Sequence, residues 1–492
     1  MRKIIVIILF VLIGLTNVEA QISNLANLAN GEMQMFTPIF EENQDVYGYF
    51  TLFKLDKLNE NEEKYEYTIL DKNLNKVANG EFVDVAYKKI YSRYYTPEKL
   101  GSTLLLTKRY NNTTGRIAFT SSRLLNLKDN EITEPFYFEN DLVLKGNRDI
   151  STVKKVQRDR EYINVPVAAN NGYLVLQLRK KIAKKNPLVL KFYNLDNEKI
   201  WDYNFGGDER WSFYRAVSFQ DDVLYFTYST RDDNQRKKEF LQIDANTGKL
   251  NFRYALEHSN SKYSYSYTTK KIDENTVLTG KISPYSITGY NRNKALGLFK
   301  IVLDKDGNEV FKKHFLWEDA EEFIEMSKKG KMDAGYKLFT HSYFVFNDNR
   351  IVVLSEKYKI ANNILLGPHV KTEDFILFEF DSDFNIKNAK TIAKDMSKFS
   401  SSDYLFGQYL NNEKDAVFFY QDYQKEEGTK DKNWILGIVS IVDGEVNHEK
   451  IPMSSDDYYI SPYVAKEGYI LLREFNKNSD FDKIRLERLN FY

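Results

Sequence analysis

Apolar residues in this chain come in short unbroken runs rather than at helical spacing. The runs are Tyr47–Leu52, Thr103–Thr107, Tyr173–Leu178, Val223–Tyr228, Thr276–Thr279, Ile351–Leu354, Ala416–Tyr420 and Tyr469–Leu472. Apolar at consecutive positions and bounded by turn residues, they predict strands buried on both faces. Each of the first seven is followed by a strand, a turn rich in Asp, Asn and Gly, and another strand. YTILDKNLNKVANGEF, KFYNLDNEKIWDYNF, FKIVLDKDGNEVFKKHF and LFEFDSDFNIKNAKTI are examples. These read as hairpins, with Asp, Asn and Gly where positive φ or side-chain bonding to the backbone is needed. Only IRLERLNFY follows the eighth run, a single strand with no return. Before each run comes one more strand and a short polar turn, as in FNDN before Ile351, FQDD before Val223 and AKEG before Tyr469.

The repeating unit is therefore four antiparallel strands, a to d, spanning about 60 residues. Eight such meanders predict an all-β chain folded as one β-propeller, whose blades stack around a channel and leave only short protected edges. Seven blades with one unit misread is the alternative count. The units begin near residues 34, 90, 162, 213, 264, 338, 404 and 459, within a propeller spanning 21–492. Strand a lines the channel and is an edge, where proline is tolerated; Pro38, Pro166 and Pro462 all fall there. The last unit lacks its outer strand at the end of the chain. Ser23 to Asn30 is placed to supply it and close the ring; a three-stranded last blade is the other solution. One interruption is expected, a short helix near 318–328 with acids early and lysines late, stopped at Gly330, with Phe323, Ile324 and Met326 packed on the blade tops.

This repeat pattern resembles that of the uncharacterised secreted β-propeller proteins of Gram-negative bacteria, over nearly the whole chain. The resemblance rests on architecture and implies no functional residue. It is poor to better-known propellers: there is no repeated Gly-His/Trp-Asp pair, and Gly206-Gly207 is a single paired glycine rather than one per unit.

The first residues change the picture next. MRKIIVIILFVLIGLTNVEAQ has a basic start, an apolar stretch from Ile4 to Leu15 and a small-residue site at Val18-Glu19-Ala20. This predicts a signal peptide over 1–20, cleaved after Ala20, and a secreted or periplasmic protein. No later segment is long and apolar enough to span a membrane as a helix. The two faces of IRLERLNFY carry Arg485 and Glu487, and Arg488 and Asn490, which does not suit a lipid-facing barrel strand. With no cysteine, thiol catalysis, thiolate metal sites and disulfides are out, and stability must come from buried area. Seventy basic and seventy acidic residues cancel, so no global field attracts nucleic acid. The 35 tyrosines and 34 phenylalanines fit a large amount of sheet.

Candidate chemistry is sparse. In a four-stranded meander the b–c and d–a connections emerge on one face, and here they are the long ones: Ser283–Lys294, Tyr358–Thr372, Gln424–Asn433 and Leu316–Lys337. Binding residues are expected on that face. Two d–a connections match, RDREYINVP and GDERWSFYRA, which bring Arg160 and Arg210 into register, with Tyr162 and Trp211 close behind. An arginine beside an aromatic suits a carboxylate, phosphate or sugar; ordinary inter-blade salt bridges are the competing reading. None of the five histidines has a partner at metal-ligand spacing. The calcium-like DKDGNE from Asp304 and DSD from Asp381 both occupy hairpin turns that need those residues for geometry. No nucleophile elbow or phosphate loop is present, and no cofactor is expected. The reading is a non-catalytic exported binding or scaffold propeller of the cell envelope, taking a protein or glycan ligand. The alternatives are a channel-mouth enzyme acting on a carbohydrate polymer and a structural component of an envelope assembly.

Overall fold

The computed structural model describes residues 22–24, 31–41, 44–87, 90–111, 117–139, 142–148, 166–169, 171–178, 188–206, 211–220, 222–231, 235–363, 367–398, 402–425, 432–454, 458–476 and 482–489. Eight antiparallel sheets follow one another along the chain and form the blades of a propeller. Blade 6 is typical. Strand a is Lys337–Val345, b is Ile351–Asn363, c is Gly367–Phe380 and d is Ile386–Ile392, paired in that order. Its strand b is covered from both sides, with Ile351, Val353 and Leu354 at zero exposure, as the unbroken apolar run requires. Alternate residues of the run face different neighbours. Ile351 and Val353 pack toward blade 5 with Val277, Leu298 and Trp317, while Val352 and Leu354 pack toward blade 7 with Phe418 and Val439.

The outer hairpin turn is built the same way in blades 1 to 6. Asp71, Asn126, Asn194, Asp244, Asp304 and Asp381 each accept, through a side-chain oxygen, backbone N–H groups two to four residues on. Both calcium-like stretches are such turns. Asp304 takes the Asn308 side-chain amide and the N–H groups of Asn308 and Asp306, which hold its carboxyl below the ordinary value. Slight burial alone would raise Asp381, but bonds from the Asn385 backbone and side chain and from Lys387 outweigh it and bring the group to about 2.

The ring is closed by the start of the chain. Ile22–Asn24 pairs antiparallel with Asp482–Arg488 and completes blade 8, whose other strands are Tyr458–Val464 and Tyr469–Asn476. Across this seam Phe36, Tyr49 and Leu70 of blade 1 pack on Leu471, Ile484 and Leu486 of blade 8. The Tyr49 hydroxyl donates to the Val464 carbonyl at 3.4 Å. Replacing Ile22, Ser23 and Asn24 together by proline removes every N–H that this strand contributes. The expected loss is about 1–3 kcal/mol at ~1 kcal/mol per net hydrogen bond, with the first protease cuts moving to blades 8 and 1. Unchanged thermal and proteolytic stability would mean that the strand is not what holds the ring shut.

Three expectations are corrected. The helix near 318–328 does not form: a 3-10 turn covers Trp317–Ala320, and the remainder is turns built on Ala320 and Ser327. Trp317 and Met326 are both buried in one core, at 1% and 4% exposure. On an α-helix, nine residues apart, they would point about 180° away from each other, so burying both requires a folded turn. Ile324 packs against that core as expected, whereas Phe323 is 37% exposed. Next, Tyr358–Thr372 and Gln424–Asn433 are not open loops. Pairing continues from Tyr358 with Thr372 to Asn363 with Gly367, and from Gln424 with Asn433 to Lys425 with Lys432. The polar composition that reads as loop marks hairpin arms standing in solvent, with Ile360 at 58% exposure. Finally, Pro166 immediately precedes strand a of blade 3, Val167–Ala169, while Pro38 and Pro462 lie within theirs.

Candidate functional site

The b–c/d–a face is tied together by buried charge. Glu63, Asp84, Glu257, Glu356, Asp403 and Asp422 are all buried toward this side of the blades. Each has a lysine ammonium at hand: Lys54 at 2.6 Å from Glu63, Lys108 at 3.3 Å from Asp84, Lys238 at 3.5 Å from Glu257, and Lys450 at 2.7 Å from Asp422. Lys394 serves two, at 3.2 Å from Glu356 and 2.6 Å from Asp403. Two of these pairs join neighbouring blades, Lys108 with Asp84 and Lys394 with Asp403, and Glu257 reaches across by a backbone bond. Asp84 ends blade 1 while Lys108 and Arg123 belong to blade 2. Glu257 ends blade 4 and accepts the N–H of Tyr265 in blade 5 at 2.9 Å. Burial drives Lys238 down, to about 8, against the pull of Glu257. Tyrosine hydroxyls add further inter-blade bonds, among them Tyr94 to Asp84 and Tyr409 with the Val345 N–H. The excess of tyrosine thus does more than fill sheet: its rings are core, and its hydroxyls tie blade to blade.

Between blades 6 and 7 lies a set of groups that resembles catalytic machinery. His341 Nε2 is 2.7 Å from Glu356 Oε2, and Ser402 Oγ is 3.3 Å from the same nitrogen. His341 is the extra residue of a bulge in strand a, between Thr340 and Ser342, and such bulges re-aim side chains. A relay needs one ring nitrogen for the nucleophile and the other for the acid. Both contacts here fall on Nε2. The imidazole is 5% exposed and stacks on Tyr404 with centroids 5.1 Å apart. Ser402 Oγ meanwhile accepts the Tyr404 N–H at 2.9 Å. Thr372 Oγ1 donates to Asp403 at 3.0 Å, and the Asp403 N–H faces Glu356 at 3.3 Å. This is a satisfied ionic knot that fixes the entry to blade 7.

Between blades 5 and 6 the balance is different. Lys281, in strand b of blade 5 (Asn275–Pro284), and Glu356 are equivalent positions, each five residues beyond the strand b residue that pairs with the end of strand c. Where blade 6 has a carboxylate with a lysine, blade 5 has a buried lysine facing Arg292. That arginine sits in the b–c connection, in a 3-10 turn over Arg292–Lys294 capped by Asn291. Its guanidinium lies 5.1 Å from the Phe339 ring centroid and 5.6 Å from that of Tyr358. Glu321, Glu325, Met326, Ser327, Lys331, Met332 and Asp333 line an open depression of about 570 Å³ on the neighbouring 317–336 segment.

Of the four residues expected from sequence, Arg160, Tyr162 and Arg210 lie outside the described residues. Trp211 opens strand a of blade 4 opposite Arg231, and its side chain is outside them too. Sequence reasoning passed over Lys281, Arg292, His341, Glu356, Lys394 and Asp403. One signal was available: a charged residue closing an otherwise apolar strand b at the same position in successive units, Lys281 in LTGKI and Glu356 in VLSEK.

The model of a family of unknown function, DUF6770, matches residues 1–490. The chain belongs to that family. No curated protein matches this DUF6770 chain. Among solved structures it is similar to an ulvan lyase of polysaccharide lyase family PL25, at 8% identity and a TM-score of 0.40 over 80% of this chain and 91% of that one. It is also similar to polysaccharide lyase Uly1, at 9% identity and 0.36 over 82% and 89%. The acylaminoacyl peptidase of Pyrococcus horikoshii matches at 9% and 0.36, over 92% of this chain and 59% of its own. At these scores the likenesses carry no information on the chemistry of this DUF6770 member. Among the described residues, no helix is long and apolar enough to cross a membrane.

Proposed function

We propose that the chain is an exported, non-catalytic binding propeller of the bacterial cell envelope, holding a protein or glycan ligand on the b–c/d–a face. The observation that carries this is the neutralisation of that face's carboxylates: the six buried ones named above each lie within 3.5 Å of a lysine. A channel-mouth enzyme acting on a carbohydrate polymer would need carboxyl groups poised to take or give a proton. Glu356 and Asp403 instead share one buried ammonium. A rigid, internally paired face carrying arginine–aromatic pairs suits recognition. Arg160 with Tyr162 and Arg210 with Trp211 are assigned to ligand contact near the channel mouth. The basic start, apolar core and Ala20 site support export with cleavage after Ala20.

Two measurements test this. Sequencing the N-terminus of the protein recovered from the envelope fraction should return Gln21. Binding to an array of envelope glycans and purified envelope proteins should weaken about tenfold or more in the Arg160→Ala/Arg210→Ala double variant. Lys466→Ala, which loses a bond to Asn73 and a contact with the Tyr469 ring on the opposite face, should bind as the parent does. Release of new reducing ends from any arrayed glycan, or equal binding by both variants, would overturn the reading.

A further inference from the structure

Two cations meet at the rim between blades 5 and 6 with no anion between them. Lys281 is 6% exposed. Its ammonium donates to the Leu338 carbonyl at 3.3 Å and stands 5.7 Å from the Phe339 ring centroid, leaving two of its three N–H groups to be met. The Arg292 guanidinium shares the same ring at 5.1 Å. Among the described residues no carboxylate pairs with either group. Burying an ammonium beside a second cation opposes folding, and every other buried lysine named on this face has a carboxylate. Here the missing partner would have to come from outside.

Arg292 is also held ready. Its neighbour Asn291 donates its N–H to Ser283 Oγ at 3.1 Å and accepts the Asn293 N–H at 3.0 Å. The Asn293 carbonyl takes the Lys337 ammonium, and its side chain faces the Tyr358 hydroxyl at 3.4 Å. The connection is thus pinned to blade 5 on one side of the guanidinium and to blade 6 on the other, which lowers the ordering cost of binding.

We propose that Lys281 and Arg292 together bind one oxyanion, a carboxylate, sulfate or phosphate group carried by the ligand of the b–c/d–a face. This rests on the reading of that face as the ligand face. The exposed guanidinium supplies a planar fork and the buried ammonium a point charge, and the Phe339 and Tyr358 rings flank the guanidinium.

Affinity should depend on pH with a defined sign. Burial, then the charge of Arg292, pushes Lys281 down to about 7. The groups around it are Arg292, Tyr290, Tyr358 and Lys337, with His341 edge-on to the shared Phe339 ring at 4.8 Å, and burial raises both tyrosines, so they stay neutral up to high pH. Lys281 loses its proton between pH 6 and 8.5, glucuronate and sulfate keep a fixed charge over that range, and the anion needs the lysine protonated. Binding is therefore strong below about 7 and fades above it, later once bound anion has raised the lysine again.

The test is calorimetric titration of the mature full chain with glucuronate, inorganic sulfate and inorganic phosphate at pH 6 and 8.5. At least one probe should bind at pH 6, and whichever of glucuronate and sulfate binds should do so severalfold more weakly at pH 8.5; phosphate, which gains a second negative charge in this range, is compared between variants at pH 6. Lys281→Met and Arg292→Gln should each weaken it about tenfold or more, and Lys281→Met should remove the pH dependence while leaving the melting temperature equal or higher. Lys128→Ala, at an exposed outer turn, should change nothing. Which probe binds distinguishes the carboxylate, sulfate and phosphate sources. No binding of any probe at about 10 mM, or binding within twofold of the parent in both variants, overturns the proposal. If the rim variants keep anion binding while Arg160→Ala/Arg210→Ala loses its ligand, this site falls and the ligand face stands. If the rim variants lose the anion while the double variant keeps its ligand, the reading of the ligand face falls.

Discussion

Replacing Lys394 by methionine should destabilise the protein by about 3–5 kcal/mol, the cost of removing one partner from a buried ion pair. Lys394 has a side chain at zero exposure, between Glu356 and Asp403 at 1% and 3%. Methionine fills nearly the same space, so little of the loss is packing. What remains is two carboxylates, both buried and within reach of one another through the Asp403 N–H, with no cation between them. The charge argument has an internal control. Adding Glu356→Gln and Asp403→Asn to Lys394→Met should recover most of the loss, because neutral side chains of the same shape need no counter-charge. Chemical denaturation of the parent, the single and the triple variant reads this directly. A single variant that loses under about 1 kcal/mol, or a triple variant no better than the single, would show that the knot is not held by charge. The blade 6–7 junction should open first in the single variant, seen as loss of amide protection around Asp403 and Gln421, whose N–H bonds the Asp403 carbonyl at 2.7 Å.

Trp317→Ala should cost a similar amount, about 3–5 kcal/mol, for a different reason. Trp317 is among the largest fully buried side chains, packed with Phe315 and Phe378 in the core between blades 5 and 6. Its Nε1 donates to the Ala295 carbonyl at 3.0 Å, and a Cβ on Gly330 would stand 2.7 Å from the indole. Truncation leaves a cavity under a segment too closely tied to collapse into it, the situation in which large-to-small changes cost most. Trp317→Phe keeps most of the volume and loses the hydrogen bond, so about 1–2 kcal/mol is expected. Phe323→Ala, on the outward side of the same segment at 37% exposure, should stay within about 0.5 kcal/mol. Thermal and urea melts of the three variants rank them; equal losses at Phe323 and Trp317 would refute the view that the 317–336 segment is a packed lid on the blades.

The repeat was legible because it is local. A run such as Ile351–Leu354 announces a strand covered on both sides wherever it lies, and an Asp or Asn followed by Gly or Asn announces a turn whose bonds close within five residues. Hairpin extensions such as Ile360 opposite Val370 were not legible, since solvent-facing strand arms and loops share a polar composition. The helix near 318–328 had suitable charges at its ends, but capping and charge are worth less than burying Trp317 and Met326 together, and that demand appears only once blades 5 and 6 are side by side.

The candidate site divides in the same way. The sequence by itself determined an all-β ring of eight four-stranded units, the edge placement of Pro38 and Pro462, and the Asx turns at Asp304 and Asp381, because each follows from contacts between near neighbours in the chain. Only the tertiary structure decided that Ile22–Asn24 closes the ring on Asp482–Arg488, that Lys394 answers two carboxylates at once, and that Lys281 meets Arg292 without an anion. Charges interact through space at a few ångströms, and which ones meet is set by how adjacent blades dock, a distance that no spacing along the chain encodes.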